Sequence, residues 1–459
     1  NIRSVKYMLK GMSVAATTLG CKVNQAETDS MLDMLKAAGA NIVEFDEKAD
    51  IYIVNTCSVT NIADKKSRQM LHRARKMNPD GIVIAAGCYV QSAREILEQD
   101  EAIDIVISNN KKKSITEIVN DYINVRNNEK NAPGKDHEAM EYFVDISRET
   151  EYEEMGGHVP VGHTRAYVKI QDGCNQFCSY CIIPYVRGRI RSRSQEAILA
   201  EVSELAEAGI KEVVLTGIHI SSYGKDKNNE GALIELIEAI SKIKGIKRIR
   251  LGSLEPGIIT EEFVERISSN SKVCPHFHLS LQSGCDSVLK RMNRKYTCEQ
   301  YFEKCDMLRK AYKSPALTTD VIVGFPGETE EEFAETVRYL TELNLYEMHI
   351  FKYSPRKGTV AAAMKEQVAP EIKNERSDVL LKLAHDNKTA YEAQFEGCEL
   401  EVLVEEVVKK NNKTYLRGHT ERYMDILIDV GDISMPESFV NSFVYVTYTQ
   451  NGGNLPLLL

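Results

Sequence analysis

Three cysteines in one short phrase, Cys174-Asn-Gln-Phe-Cys178-Ser-Tyr-Cys181, constrain this chain more than any other stretch. They follow an apolar run, Ala166 to Ile170, that reads as a β-strand. Three thiolates on one loop can hold three irons of a [4Fe–4S] cluster and leave the fourth iron open to a small molecule. Zinc is the alternative, but structural zinc sites use a fourth protein ligand, and the nearest upstream histidine, His163, lies before the strand.

A second set of cysteines is scattered rather than clustered. Up to residue 124 the pattern alternates strand and helix: strands at Ser13–Leu19, Ile51–Val54, Ile82–Ala86 and Ile103–Ile107, with helical runs at Gln25–Ala38 and Ala63–Met77. Such alternation predicts a doubly wound parallel sheet. Cys21, Cys57 and Cys88 each follow one of these strands, at the edge where open α/β sheets bind ligands. Gly20 and Gly87 beside them would permit close backbone approach. Three such cysteines predict a second cluster with one open iron; the competing reading is three core thiols.

The rest of the chain divides by pattern. Residues 125–162 are polar, with Pro133-Gly134, and read as a linker. Residues 163–396 resume the alternation with six strand candidates: Ala166–Ile170, Glu212–Gly217, Arg248–Leu254, Phe277–Leu281, Leu317–Val323 and Met348–Tyr353. Six units predict a partial (β/α)6 barrel, with chemistry at the carboxyl ends of its strands. A long helix, Glu371–Phe395, follows. Residues 397–459 alternate apolar and polar, the pattern of a small antiparallel β-barrel, with the last eight residues unassigned.

Composition sets outer bounds. The 459 residues carry a formal net charge of −9, which does not advertise a nucleic-acid binder, although local patches decide phosphate contacts. Eleven cysteines, an odd number, argue for reduced thiols and metal ligation in a reducing cytoplasm. The opening residues are too short and polar a stretch for a signal peptide, and no apolar run reaches the ~18 residues of a membrane span. Cys274, Cys285, Cys298, Cys305 and Cys398 are expected to be ordinary thiols.

The CxxxCxxC loop after a strand resembles the radical S-adenosylmethionine (SAM) superfamily. The longer phrase Gly173-Cys-Asn-Gln-Phe-Cys-Ser-Tyr-Cys-Ile-Ile-Pro-Tyr-Val-Arg-Gly-Arg is similar to its methylthiotransferase branch, as are Thr18-Leu-Gly-Cys-Lys-Val-Asn-Gln, Asn55-Thr-Cys-Ser-Val-Thr and Gly87-Cys-Tyr. The resemblance implies two [4Fe–4S] clusters, one on Cys174, Cys178 and Cys181, the auxiliary one on Cys21, Cys57 and Cys88, with Asn24 and Asn55 near the latter. It implies SAM contacts from Thr216, Gly217, Glu255, Ser280, Gln282 and Arg193, and more weakly from Asp320 and Gly324; each hydroxyl or carboxylate could equally be a helix cap. His219 could be a site residue or a plain loop side chain.

The closing β-barrel resembles the TRAM domain, an OB-like RNA-binding module, with Lys413, Tyr415, Arg417, His419, Arg422 and Tyr423 as candidate RNA contacts. The phrase Leu215-Thr-Gly-Ile-His-Ile-Ser-Ser-Tyr-Gly is most like the subgroup that adds a methylthio group to carbon 2 of N6-threonylcarbamoyl-adenosine at tRNA position 37. The implied partners are a tRNA anticodon stem-loop, a low-potential electron donor and a sulfur source. Sister substrates are isopentenyl-adenosine in tRNA and a ribosomal-protein aspartate. A non-catalytic iron–sulfur RNA-binding protein is the alternative of another class.

Overall fold

The computed structural model describes residues 9–129, 139–156, 164–411, 413–431, 435–450 and 452–454. The chain opens with six parallel strands: β1 (Ser13–Thr18), β2 (Asn41–Ile42), β3 (Ile51–Thr56), β4 (Ile82–Gly87), β5 (Ile105–Ile107) and β6 (Met140–Tyr142). Their spatial order is β2-β1-β3-β4-β5-β6. Strand alternation sends Ile51 and Ile53 to one face, against Met31 and Leu35 of helix Lys22–Ala37 and Ile118 of helix Ile115–Glu129. Tyr52 and Val54 point the other way, against Leu71 and Ala74 of helix Asn61–Met77. With both faces covered, β3 and β4 are buried along their whole length.

The stretch 125–162 is not simply a linker. Helix Ile115–Glu129 continues into it, and β6 pairs with β5 as an edge strand. A three-residue strand in a polar setting is too short to leave a period-2 signal. Further on, Tyr152 donates its hydroxyl to the carbonyl of Lys169 at 3.0 Å, and Glu153 accepts from the backbone N–H of Lys113 at 2.8 Å. This stretch thereby joins the first sheet to the wall of strands that follows.

That wall holds the six expected parallel strands. They are β7 (Arg165–Asp172), then, after the short antiparallel β8 (Arg191–Ser192), β9 (Glu212–Gly217), β10 (Arg248–Leu251), β11 (His276–His278), β12 (Ala316–Val323) and β13 (Glu347–Lys352). Two sheets, β10-β9-β7-β8 and β11-β12-β13, are joined by the single bridges Ile249↔Val273 and Leu254↔Leu279. β10 and β11 are shorter than their apolar runs, because past Leu251 and His278 the chain pairs only at isolated bridges. One core runs between the wall and its outer helices. Helix Pro370–Ala393 closes over it, burying Leu380 and setting Tyr391 4.4 Å from the ring of Tyr346.

The last part is a closed barrel of β14 (Glu399–Lys410), β15 (Lys413–Thr420), β16 (Asp425–Asp429), β17 (Phe443–Thr449) and β18 (Gly452–Asn454), in the order β14-β15-β16-β18-β17. Gly452–Asn454, at the start of the tail that the pattern left unassigned, supplies the closing strand. Among the described residues no helix is long and apolar enough to cross a membrane.

Candidate active site

Cys21, Cys57 and Cys88 come together at the carboxyl edge of the first sheet. Cys21 starts helix Lys22–Ala37, Cys57 directly follows β3, and Cys88 directly follows β4. The crevice beside β1 and β3 is where the strand order reverses, the usual ligand edge of such sheets. Gly20 has φ +101°, and a Cβ there would lie 2.7 Å from Cys57 Sγ. Only glycine lets the Cys21 turn come this close to the second thiol. Asn24 Nδ2 donates to the carbonyls of Leu19 (2.7 Å) and Thr56 (3.0 Å), tying the two turns together. Asn55 Nδ2 donates to the carbonyl of Asn24 at 2.8 Å.

Behind these thiols lies a buried charge network. Arg187, fully buried, donates from Nε to Cys88 Sγ at 3.3 Å and from Nη1 to Glu27 Oε1 at 2.6 Å and Asp172 Oδ2 at 3.0 Å; Nη2 bonds Asn24 Oδ1. Lys112 pairs with Glu27, and Lys169 bridges Glu27 (2.7 Å) and Asp172 (2.6 Å). Burial alone would raise both carboxyls, but Arg187, Lys112 and Lys169 outweigh it and hold Glu27 well below the ordinary range; Arg187 and Lys169 do the same for Asp172. Sequence reading missed this network. Its one visible signal was Lys169, a charge inside an apolar strand.

The second triad sits on the loop between β7 and a one-turn helix, Ile183–Val186. Gly173 enters that loop with φ +73°, and a Cβ there would overlap the carbonyl of Arg189. Phe177 takes φ +49°; its carbonyl accepts from Asn293 Nδ2 at 2.9 Å and its ring lies 4.5 Å from the Arg189 guanidinium. Arg294 Nη1 donates to Cys178 Sγ at 3.2 Å, Nη2 donates to the carbonyl of Ser280 at 3.2 Å, and Glu255 Oε1 lies 3.9 Å away. Each triad thus has one sulfur that accepts from a guanidinium. Burial pushes the thiols up, Cys57 and Cys174 to about 11 and Cys181 to about 12. Such thiols become good ligands when a metal replaces the proton.

The two triads are neighbours. Cys88 packs against Ile182 and Val186, immediately after Cys181, and Asn109 Nδ2 donates to the carbonyl of Val186 at 2.8 Å.

The donor sets fit iron–sulfur clusters better than single ions. Three thiolates on one tetrahedral zinc lie about 3.8 Å apart, given Zn–S bonds of about 2.3 Å. Among the described residues, neither cysteine triad gathers its sulfurs within 4.8 Å, and no His, Asp or Glu completes either within that distance. Wider spacing with one thiolate per iron, and N–H groups aimed at the sulfurs, is what a cluster requires.

The strand-end residues separate into groups. Thr216 is buried, and Gly217 lies against Gln171. Gln171 Oε1 accepts from the backbone of His219 at 2.8 Å, and His219 faces Gln176 of the cysteine loop at 3.4 Å. Burial, helped by Arg294 and Lys225, lowers His219 to about 4, so it is neutral here. Glu255 and Ser280 meet at Arg294. Gln282, at φ +77°, donates its backbone N–H to Asp320 O.

Three of the expected SAM contacts have protein partners of their own. Arg193 binds Glu154 at 2.6 Å and Glu201, and lines a cavity of about 700 Å³ that Cys21 also borders; its carboxylate partners are already in place. Asp320 turns its side chain to His278. A Cβ on Gly324 would meet Lys373, so that glycine serves the long helix. Of the four arginines in Arg187-Gly-Arg189-Ile-Arg191-Ser-Arg193, which directly follow the one-turn helix, Arg187, Arg191 and Arg193 are buried and Arg189 is exposed.

Two candidate RNA contacts, Tyr423 and Arg422, dock the last barrel onto the wall. The Tyr423 ring stacks on His419 at 4.5 Å and faces the guanidinium groups of Arg165 (5.1 Å) and Arg250 (4.7 Å). Arg422 donates to the carbonyls of Ser314 and Lys313, both at 3.0 Å. Arg417 pairs with Asp425 at 2.8 Å, and Lys413 lies 3.6 Å from Asp429. Tyr415 is half-buried. Cationic and aromatic side chains serve a cation–π contact as readily as a nucleic acid.

Residues 168–340 match the Radical SAM superfamily model, and residues 13–108 match the uncharacterized protein family UPF0004. The chain is 40% identical to threonylcarbamoyladenosine tRNA methylthiotransferase MtaB of Bacillus subtilis (strain 168), covering 90% of each chain. It belongs to the radical SAM methylthiotransferases. Another member, tRNA-2-methylthio-N(6)-dimethylallyladenosine synthase of Thermoanaerobacter pseudethanolicus, is 35% identical over 94% of this chain and 90% of its own. Among solved structures, the radical SAM methyltransferase TsrM of Kitasatospora setae shares the fold, with a TM-score of 0.57 at 15% identity over 77% of each chain. Radical SAM methylthiotransferases work with SAM and two [4Fe–4S] clusters.

Proposed function

We propose that this radical SAM methylthiotransferase adds a methylthio group to carbon 2 of N6-threonylcarbamoyl-adenosine in tRNA, at position 37 of the anticodon stem-loop. The observation that carries the reading is the pair of cysteine triads flanking one short helix, with Cys88 packed on the residues just after Cys181. The substrate choice rests on the 40% identity to the Bacillus subtilis enzyme over 90% of both chains.

In this reading Cys174, Cys178 and Cys181 hold one cluster, and Cys21, Cys57 and Cys88 hold the auxiliary one. Bound clusters and SAM supply one-electron chemistry at an unactivated C–H bond and a site for sulfur. The chain's own residues do the positioning. Arg294 fixes Cys178 and the carbonyl of Ser280, with Glu255 beside it, and these line the SAM side together with Thr216, Gly217 and Gln282. Arg187 fixes Cys88 against the carboxylates of Glu27 and Asp172. The first sheet, β1 through β6, belongs to the auxiliary domain, residues 163–396 to the SAM domain and residues 397–459 to a TRAM-like module. A reducing cytoplasm, a low-potential electron donor and a sulfur source complete the setting.

The test is anaerobic turnover of reconstituted enzyme with SAM, reductant and tRNA, followed by nucleoside mass spectrometry. A methylthio group on threonylcarbamoyl-adenosine is expected. Modification of isopentenyl-adenosine instead would move the enzyme to the sister subgroup. Intact clusters with neither product nor deoxyadenosine would refute the enzymatic reading.

A further inference from the structure

We propose that His278, Asp320 and His349 form a site for one divalent transition-metal ion, separate from the two cysteine triads. The three side chains come from adjacent parallel strands, where His278 is paired in register with Thr318 and Asp320 with His349. Their neighbours Phe277, Leu279, Leu317, Val321 and Met348 lie in the core beneath the outer helices. Strand alternation therefore turns His278, Asp320 and His349 to the opposite face, the inside of the open wall.

One ligand atom from each lies within 4.8 Å of the other two, the only such group of three His, Cys, Asp or Glu among the described residues. His278 Nε2 and Asp320 Oδ2 are 3.4 Å apart. Donor atoms on one tetrahedral ion with bonds of about 2.1 Å are separated by about 3.4 Å. The rings of His278 and His349 stack with centroids 5.8 Å apart and planes at 22°.

The second observation concerns what His278 lacks. Its Nδ1 is taken up by Thr318 Oγ1 at 3.0 Å. Its Nε2 is buried and has no hydrogen-bond partner, although a carboxylate oxygen stands opposite. A buried polar atom left without a partner forfeits its solvation for nothing, so such an atom calls for a ligand. A metal-bound histidine characteristically has its other ring nitrogen engaged by a second partner, the part Thr318 plays.

Two imidazoles and one carboxylate suit zinc or ferrous iron, with further positions left for oxygen ligands. Of the three, His349 is the exposed one, which leaves the site open to solvent on its side. No local sequence motif announces the site, because its three ligands come from three strands.

The experiment is calorimetric titration of tag-free holoenzyme, both clusters in place, with zinc chloride. One saturable site is expected. His349→Ala should weaken it at least tenfold, and Thr318→Val, which keeps all three ligands, about 10–100-fold. Iron content and cluster absorbance should be unchanged in both variants. His349 is exposed on the last strand of the wall, so its replacement leaves the core untouched. No saturable zinc, or the same affinity in wild type and both variants, would overturn the proposal; the three side chains would then be no more than a polar cluster on the inner face of the wall.

Discussion

The two cysteine triads reach one kind of environment by opposite routes. Cys174, Cys178 and Cys181 lie on one loop, held open by Gly173 and Asn293 and touched by a single guanidinium, that of Arg294. Cys21, Cys57 and Cys88 exist as a group only because three parallel strands end at one edge, and their guanidinium, Arg187, comes from the other domain. The loop triad carries its geometry in local sequence. The sheet triad depends on tertiary structure, and a buried network of Glu27, Lys112, Lys169, Asp172 and Arg187 ties it to the wall. Local assembly suits a site that binds a small cofactor on one loop; assembly across domains fixes the distance between two reacting centres.

The largest effects should separate the triads by function. Cys178→Ala should abolish deoxyadenosine formation. Cys57→Ala should keep it and lose the methylthiolated nucleoside, both read by mass spectrometry of one reaction. Loss of deoxyadenosine in both variants would break the division of labour. Next come the arginines. Arg187→Met leaves Glu27 and Asp172 buried short of a partner and should cost about 3–5 kcal/mol of stability. Arg294→Met removes hydrogen bonds to a thiol and a carbonyl and should cost about 1–3 kcal/mol. Urea unfolding followed by circular dichroism checks the order, and equal losses would remove the contrast.

Much of this was legible in sequence, for reasons that differ by region. The parallel sheet and the six wall strands announce themselves because strands buried on both faces are continuous apolar runs, such as Ile51–Val54. The three strand-end cysteines follow from that topology. Strands β2, β6 and β18, two or three residues long, left no pattern to read. Arg294 and Arg187 were invisible as partners, since a guanidinium in sequence does not say which sulfur it will meet. Arg193 was placed beside SAM by resemblance, whereas Glu154, from the stretch read as a linker, and Glu201 hold it. Two of the candidate RNA contacts hold protein partners that sequence does not reveal: Tyr423 faces Arg165 and Arg250, and Arg422 donates to the carbonyl of Ser314.

Acid should act on the two sites in different pH windows. Glu27 and Asp172 titrate lower in the fold than in the unfolded chain, whose carboxyls titrate near about 4. Their stabilisation is complete above that value and is lost as pH falls below it. His219, beside the loop triad, is lowered to about 4 in the fold against about 6.5 unfolded. Its contribution is complete above pH ~6.5 and is lost between there and about 4, on the order of 3 kcal/mol at most. His219→Gln should flatten the stability profile over that interval and leave the steeper fall below it. An unchanged slope between pH 6.5 and 5 would show that the ring is solvated rather than buried.

The smallest difference lies in the two asparagines that brace the turns. Asn24 gives two hydrogen bonds to backbone carbonyls and accepts one from Arg187, all buried or nearly so, so Asn24→Ala should cost about 2–3 kcal/mol. Asn293 gives the loop one bond, to Phe177, from a backbone at φ +61°. Asn293→Gly loses that bond but eases the left-handed backbone, so the two terms oppose and the net cost should stay at or below about 1 kcal/mol. The same urea titrations measure both. A larger cost at Asn293 than at Asn24 would mean that the loop triad, despite its local sequence, is the more dependent of the two on its tertiary supports.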